Sequence, residues 1–298
     1  MVMIMENLRY YIVRANDEGL LKWMPDKHCL YLLYWARTGK RLNLKNPQTF
    51  NEKMQWLKLN YRKPEFGDMV DKYEAKKFMA DRVGEEHIIP TLGVWDRFDD
   101  IDFDALPDQF VLKCTHDSGG LVVVRDKSKL DMAEARKKIE QSLKNNWFYH
   151  GREWPYKHIK PRIIAENYIE DLETGELRDY KWYCFNGVPK LMAIVCGRSV
   201  KAVTADFFDC SFNYIDLRCL YPKAKVAPEK PKTFDQMCEF AGILSRDVPF
   251  MRVDFYEANG HCYVGEMTFY HGSGFDLHEP KEWEDRLGTW LELPHPEK

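Results

Sequence analysis

The chain has 298 residues, 45% of them hydrophobic, and a formal charge of −3. That length supports about two domains, or one large lobed domain with a packed core. The near-neutral balance excludes the strongly basic surface of a nucleic-acid binder.

Met1–Glu6 has no basic n-region and no cleavage site, which predicts no signal peptide. Residues 1–65 read as a helical region broken by Pro25, Gly39 and Pro47. Its longest apolar run, Cys29–Ala36, is too short to span a bilayer. The stretch Lys22–Lys45 mixes aromatics with lysine and arginine; a helix pair accounts for it, and weak peripheral contact with a membrane is the alternative. Thr49 and Glu52 form a capping-box pattern ahead of Phe50–Leu57. A second helix is predicted from about Asp68 to Val83, ended by Gly84. Short strands follow at Phe110–Cys114 and Leu121–Arg125, joined by Thr115–Gly120. A helix over 131–146 and a strand over Ile163–Ile169 come next. Asn186-Gly187 makes a hairpin of Asp179–Phe185 and Pro189–Cys196. Residues 200–230 read as irregular, and a helix at Thr233–Ser245 leads into a last hairpin, Met251–Tyr256 and Cys262–Thr268. Hairpins interleaved with helices predict an α+β fold with mostly antiparallel sheets. The eight cysteines include no C-x-x-C pair. They read as buried free thiols of a reducing, cytoplasmic compartment, and the missing spacing predicts no zinc site.

The last hairpin carries the strongest chemical signal. Arg252 and Asp254 share one strand face, as do Glu266 and Thr268. A three-residue turn, Ala258-Asn259-Gly260, would place all four on one face, and this odd turn is predicted. Paired carboxylates beside an arginine suit magnesium and the phosphates it carries. The plain alternative is an Arg–Glu cross-strand pair on a solvated face. Lys113 inside an apolar strand needs a partner for its ammonium. The glycine-rich turn after it can aim N–H groups at a phosphate oxygen, although no Walker or G-x-G-x-x-G pattern is present. Glu166–Ile169 could hold an adenine on backbone groups, with acids beyond it for a ribose. Lys181, on one face with Asp179, is a candidate phosphate or substrate contact.

The ordered set of these pieces resembles the ATP-grasp superfamily, and within it the TupA-like (teichuronopeptide biosynthesis) family of bacterial surface-polysaccharide clusters. The matching stretches are Pro47–Lys53, Asp71–Tyr73, Phe110–Gly120, Pro161–Ile169, Asp179–Gly187 and Met251–Gly274. The resemblance implies an ATP-grasp fold, with nucleotide held between two mostly antiparallel sheets beside a helical N-terminal region. It implies a core over 66–298, with a lid or small lobe at about 105–170 and a metal-binding lobe at about 175–290. It implies ATP and two magnesium ions, and ligation of a carboxylate, on a glycan or small molecule, to an amine. Lys72 and Lys113 would hold the α- and β-phosphates. The loop with Ser118, Gly119 and Gly120 would close over them, and His116 would contact phosphate or acceptor. Glu166, Asn167, Tyr168 and Ile169 would hold adenine, and Glu170, Asp171 or Glu173 the ribose. Lys181 and Arg252 would face the transferring phosphoryl group. Asp254, Glu266 and Thr268 would bind metal, with Thr268 standing where many ATP-grasp enzymes carry Asn. Acceptor contacts are expected from the N-terminal helices and from Arg198 and Lys201. A glycosyltransferase, whose D-x-D pair would be Asp102 and Asp104, and a non-catalytic nucleotide-binding protein are the other classes weighed.

Overall fold

A computed structural model describes residues 2–117, 119–198 and 200–294, with side chains from Met5 onward. Helices α1 (Val2–Asp17) and α2 (Asp26–Thr38) open it. Gly39, at φ 74°, ends α2 in the left-handed conformation that glycine takes without strain. Leu30, Leu33 and Tyr34 of α2 bury against Leu42 and Phe275 in a small core. α3 (Phe50–Asn60) begins at the expected capping box: Thr49 accepts from the Glu52 N–H, and Glu52 accepts from the Thr49 N–H at 3.3 Å.

The helix expected over Asp68–Val83 is instead two, α4 (Phe66–Val70) and α5 (Glu74–Val83). Asp71 breaks it. Its buried carboxylate accepts the N–H groups of Tyr73 (2.8 Å) and Glu74 (3.1 Å) and pairs with Arg162 at 3.2 Å. Such local bonds compete with the helix. The break turns the Lys72 N–H onto the Thr115 carbonyl, 3.0 Å away, and so seats Lys72 under the glycine-rich loop.

β1 (Thr91–Trp95), β2 (Phe110–Cys114), β3 (Leu121–Val124) and β4 (Ile163–Asn167) form an antiparallel sheet in the order β1-β4-β2-β3. α6 (Met132–Leu143), N-capped by Asp131, covers it with Ala135 and Ile139. α7 (Phe148–Gly151) precedes β4. The second sheet is built from β5 (Asp179–Phe185), β6 (Val188–Cys196), β7 (Thr204–Asp209) and β8 (Tyr214–Ile215). β9 (Arg218–Cys219) and α8 (Phe234–Leu244) follow, then β10 (Phe250–Ala258) and β11 (His261–Thr268). β12 (His278–Glu279) and α9 (Glu282–Trp290) complete the described elements. The larger sheet runs β11-β10-β5-β6-β7-β8, and β12 pairs with β9. One face of that larger sheet, with Trp182 and Val253, packs on α8, while Phe185 and Phe250, on the opposite face, meet Phe50 of α3. Segment 200–230, expected to be irregular, therefore carries β7, β8 and β9. Apart from Lys201, its lysines and prolines lie beyond Tyr221, and the window average hid the buried Phe207 and Phe208.

The last hairpin departs from the expected turn. Ala258 pairs with His261, so the turn has two residues, Asn259 (φ 54°) and Gly260 (φ 76°). Asn-Gly favours this tight left-handed turn. The Asp171 carboxylate accepts the Asn259 N–H at 2.9 Å and fixes it. An even turn alone would separate Asp254 from Glu266. A β-bulge at Gly265 restores the register, so that Asp254 lies opposite Glu266 and Arg252 opposite Thr268.

Candidate active site

The four hairpin residues meet on one face. Asp254, 1% exposed, accepts two bonds from the Arg252 guanidinium, at 2.6 and 2.7 Å, and a third from Lys181. Lys181 arrives from β5, where it stands opposite Asp254. Arg252 also donates to Glu266 at 3.1 Å and to Thr268 at 3.2 Å. Burial alone would raise the Asp254 pKa, but the charges of Arg252 and Lys181 outweigh it and hold the carboxyl well below its ordinary range. Burial likewise opposes the Arg252 charge, and Asp254 and Glu266 overcome it. Two carboxylates and a hydroxyl on neighbouring strands are hard oxygen donors of the kind magnesium accepts.

A second charged group faces this one from the smaller sheet. Glu166 of β4, 4% exposed, pairs with Lys113 of β2 at 2.5 Å and with Lys76 of α5 at 2.7 Å. Burial pushes the Glu166 carboxyl up and the two ammoniums pull it down further, so its pKa falls below 4.5. One carboxylate cannot fully satisfy two lysines, and burial leaves Lys76 lowered. Lys72 donates to the carbonyls of Cys114, at 3.2 Å, and Asp117; burial lowers its pKa. Lys76 escaped the sequence reading. Its only local signal is its position four residues after Lys72, because its partner comes from another sheet.

The glycine-rich loop is held from within. The Asp117 carboxylate accepts from the Ser142 hydroxyl and from the Gly120 N–H, the latter at 3.3 Å. A Cβ on Gly120 would lie 2.4 Å from Ser142 Oγ and 2.7 Å from Cys114 Sγ, so a side chain there would lift the loop. Gly119 is exposed, and Ser118 lies outside the described residues. His116 does not face the cleft. It is buried, and its Nε2 donates to the carbonyls of Ser142 (3.2 Å) and Asn145 (3.0 Å) at the end of α6. Direct contact of His116 with phosphate or acceptor therefore has no support in this geometry.

Beyond Glu166, the Asn167 N–H bonds the Pro90 carbonyl at 3.0 Å. Tyr168 and Ile169 run on half-buried past the last ladder pair, Phe110–Asn167. The ribose acids are placed elsewhere. Asp171 is consumed by the turn, accepting from Thr174 and Asn259. Glu173 is exposed and pairs with Lys232 at 2.6 Å. Glu170 is exposed, and its carbonyl accepts from the Asn259 side chain at 3.1 Å. None of the three lines the cleft.

That cleft, about 340 Å³, lies between the two sheets and is lined by Lys72, Lys113, Glu166, Lys181, Arg252 and Asp254 among others. Arg198 also reaches it and pairs with Asp179 at 2.5 Å, whereas Lys201 is exposed. A second cavity of about 510 Å³ lies on the side of the N-terminal helices. It is lined by Arg37, Trp147, His150, Tyr156 and Tyr270, and it shares Arg252 and Glu266 with the first. Asp102 and Asp104 sit apart on an exposed turn that Asp102 caps itself.

A family model described as TupA-like ATPgrasp matches residues 52–292. No curated protein matches the chain. Among solved structures, D-alanine–D-alanine ligase from Bacillus anthracis, complexed with ATP, is 16% identical, with TM-score 0.40, over 68% of this chain and 54% of that one. An L-amino acid ligase from Bacillus licheniformis is 14% identical, with TM-score 0.41, over 88% of this chain and 55% of that one. The ATP-grasp ligase PsnB, complexed with minimal precursor, is 10% identical, with TM-score 0.39, over 73% of this chain and 58% of that one. The chain thus spans little more than half the length of these structures.

Proposed function

The chain belongs to the TupA-like ATP-grasp family, and from that premise we propose that it is an ATP-dependent carboxylate–amine ligase working through an acyl phosphate. The observation that carries this reading is the shared wall: Arg252 and Glu266 line both the lysine-rich cleft and the second cavity. A nucleotide in the first and a carboxylate in the second would meet at those side chains.

In this reading Lys72 and Lys113 neutralise the α- and β-phosphates, and Glu166 to Ile169 receive the adenine along the edge of β4. Asp254 and Glu266, with Thr268, would hold magnesium, two ions in the full complement; the metal supplies charge neutralisation at the phosphoryl oxygens. Lys181 and Arg252 are tied to Asp254 by ion pairs. Once that carboxylate serves a cation, both turn their donors toward phosphoryl oxygen. The substrate carboxylate attacks the γ-phosphorus, the bond to ADP breaks, and Arg252 steadies the acyl phosphate. An amine then attacks the carbonyl, loses a proton and expels inorganic phosphate. Positioning and preorganised charge supply most of the rate.

The substrate proposal is finer. Trp147, Tyr156 and Tyr270 offer flat faces for a sugar ring, and Arg37 and His150 offer partners for its carboxylate. A uronic acid of a bacterial surface polysaccharide, joined to an amino acid or small amine, fits this lining. Leu20 and Trp23, 62% and 78% exposed between α1 and α2, offer a surface for peripheral contact with a membrane-borne acceptor. The test is ADP release with uronic acids and amines supplied separately and together. Release that needs both supports the ligase, and release that ignores both overturns it.

A further inference from the structure

We propose that Cys219, His271 and His278 form a second metal site, a zinc-type centre whose ligands are distinct from the hairpin carboxylates, although Cys219 and His271 line the same cleft. One ligand atom from each lies within 4.8 Å of the others, and all three residues are buried. The fold builds this cluster. β9 and β12 pair so that Cys219 stands directly opposite His278, and the turn after β11 brings His271 over them. The ligands come from positions 219, 271 and 278, which is why no paired spacing announces the site.

The distances suit zinc. Bonds of about 2.3 Å to sulfur and about 2.0 Å to nitrogen, at a tetrahedral angle, separate the two ligand atoms by roughly 3.6 Å. Cys219 Sγ and His271 Nε2 are 3.6 Å apart. His278 gives an independent sign. Its side chain is 1% exposed, its Nδ1 bonds Glu284 at 2.6 Å, and its Nε2 is buried with no partner. A histidine anchored through one nitrogen to a carboxylate presents the other as a metal ligand. Asp276, with an oxygen 3.8 Å from His271 Nε2, is the further oxygen donor at hand. A thiolate and that carboxylate would neutralise the dication, so Arg252 nearby meets no net charge. Metal on Nε2 leaves the proton of His271 on Nδ1, which faces Arg252 at 3.0 Å. A guanidinium accepts no hydrogen bond. Loading therefore costs that contact and turns Arg252 fully onto Asp254, Glu266 and Thr268.

The full chain, purified without chelator, is expected to carry equimolar zinc through gel filtration. After chelation, added Co²⁺ is expected to give a thiolate charge-transfer band and the strong visible bands of four-coordinate cobalt. Cys219→Ser loses the charge-transfer band, and His278→Gln binds cobalt at least tenfold more weakly. Asp254→Asn and Glu266→Gln keep the spectrum, which separates this site from the nucleotide site. If both ligand variants fail to fold, X-ray absorption of the zinc-loaded wild-type chain decides, with one sulfur among nitrogen and oxygen neighbours expected. A chain that binds neither metal, a band that survives Cys219→Ser, or a zinc shell without a single sulfur overturns the proposal.

Discussion

Asp254 and Glu266 differ in burial, and that difference separates their part in folding from their part in chemistry. In Asp254→Asn the charged partner of two buried cations disappears. Arg252 and Lys181 side chains are each only 12% exposed, and Asp254 accepts three of their bonds. Breaking a buried pair by removing one partner costs about 3–5 kcal/mol, because the remaining charge stays desolvated. Glu266 still reaches Arg252 at 3.1 Å and keeps the loss toward the lower end of that range. For a chain of this size each kcal/mol lowers the melting temperature by a few degrees, so a fall of roughly 10 °C is expected. Glu266→Gln makes the same chemical change on a side chain 42% exposed. Surface pairs contribute about 0–1 kcal/mol, so its melting temperature is expected within about 3 °C of wild type. Both variants are expected to lose ADP release by at least about a hundredfold, as for removal of a group that stabilises phosphoryl charge. Thermal melts by circular dichroism and a coupled ADP assay on the same preparations give the comparison. Equal stability losses in the two variants, or a stable Asp254→Asn, would refute the argument from burial. Retained turnover in both would refute the ligase reading.

Glu166→Gln is expected to destabilise the fold by about 3 kcal/mol or more at neutral pH, leaving Lys113 and Lys76 unpaired. Its folded pKa lies below the ordinary 4.5. The wild-type carboxylate therefore stabilises fully above that value and loses its contribution as pH falls through the folded pKa. Urea titrations should show a flatter acid limb below about pH 4.5 in the variant, and an unchanged slope would count against the charge trio. Gly120→Ala places a methyl 2.4 Å from Ser142 Oγ. It should cost about 1–3 kcal/mol and raise the KM for ATP, whereas unchanged kinetics would remove the loop from the nucleotide site. Trp147→Ala should raise the KM of the acceptor carboxylate and leave that of ATP unchanged; the reverse pattern would assign the second cavity to nucleotide. Nucleotide binding measured by calorimetry should weaken at least tenfold without divalent metal in wild type, and much less in an Asp254→Asn, Glu266→Gln double variant.

Local chemistry made much of the fold legible. The capping box at Thr49, the Asn-Gly turn at 186–187 and the strand Asp179–Phe185 before it each rest on a few residues, and the structure places each where expected. The hairpin shows where that reach ends. The sequence told which four residues belong on one face, but the device was a bulge rather than a longer turn. Its signal was present: a glycine inside a strand often marks a bulge. At Gly265 the Tyr256 ring lies 2.7 Å from where a Cβ would sit, so only the packed hairpin decides between bulge and regular strand. Lys76 and the Cys219–His271–His278 group were hidden for a related reason. Their partners lie on elements whose meeting no local pattern encodes.

Among the described residues, the cleft is lined by Lys72, Lys113, Lys181, Arg198 and Arg252, and by Asp117, Glu166, Asp179, Asp254 and Glu266. Stability does not explain so many charges. Buried pairs replaced together by apolar groups of equal size are often neutral or favourable for folding. Perturbed, paired titratable groups converging on one cavity mark a functional site. The equal number of signs carries the argument further. A bare polyanion entering this cleft would meet Asp254 and Glu266 as well as the lysines, and a bare dication would meet Lys181 and Arg252. In the proposed ligase each would be admitted by the other. Phosphate would take over the cations that the metal frees from Asp254, and the metal would take over the carboxylates that phosphate frees from Lys181 and Arg252. A cleft balanced in this way would select a metal–nucleotide pair over either component, and its own charges are paired without a ligand.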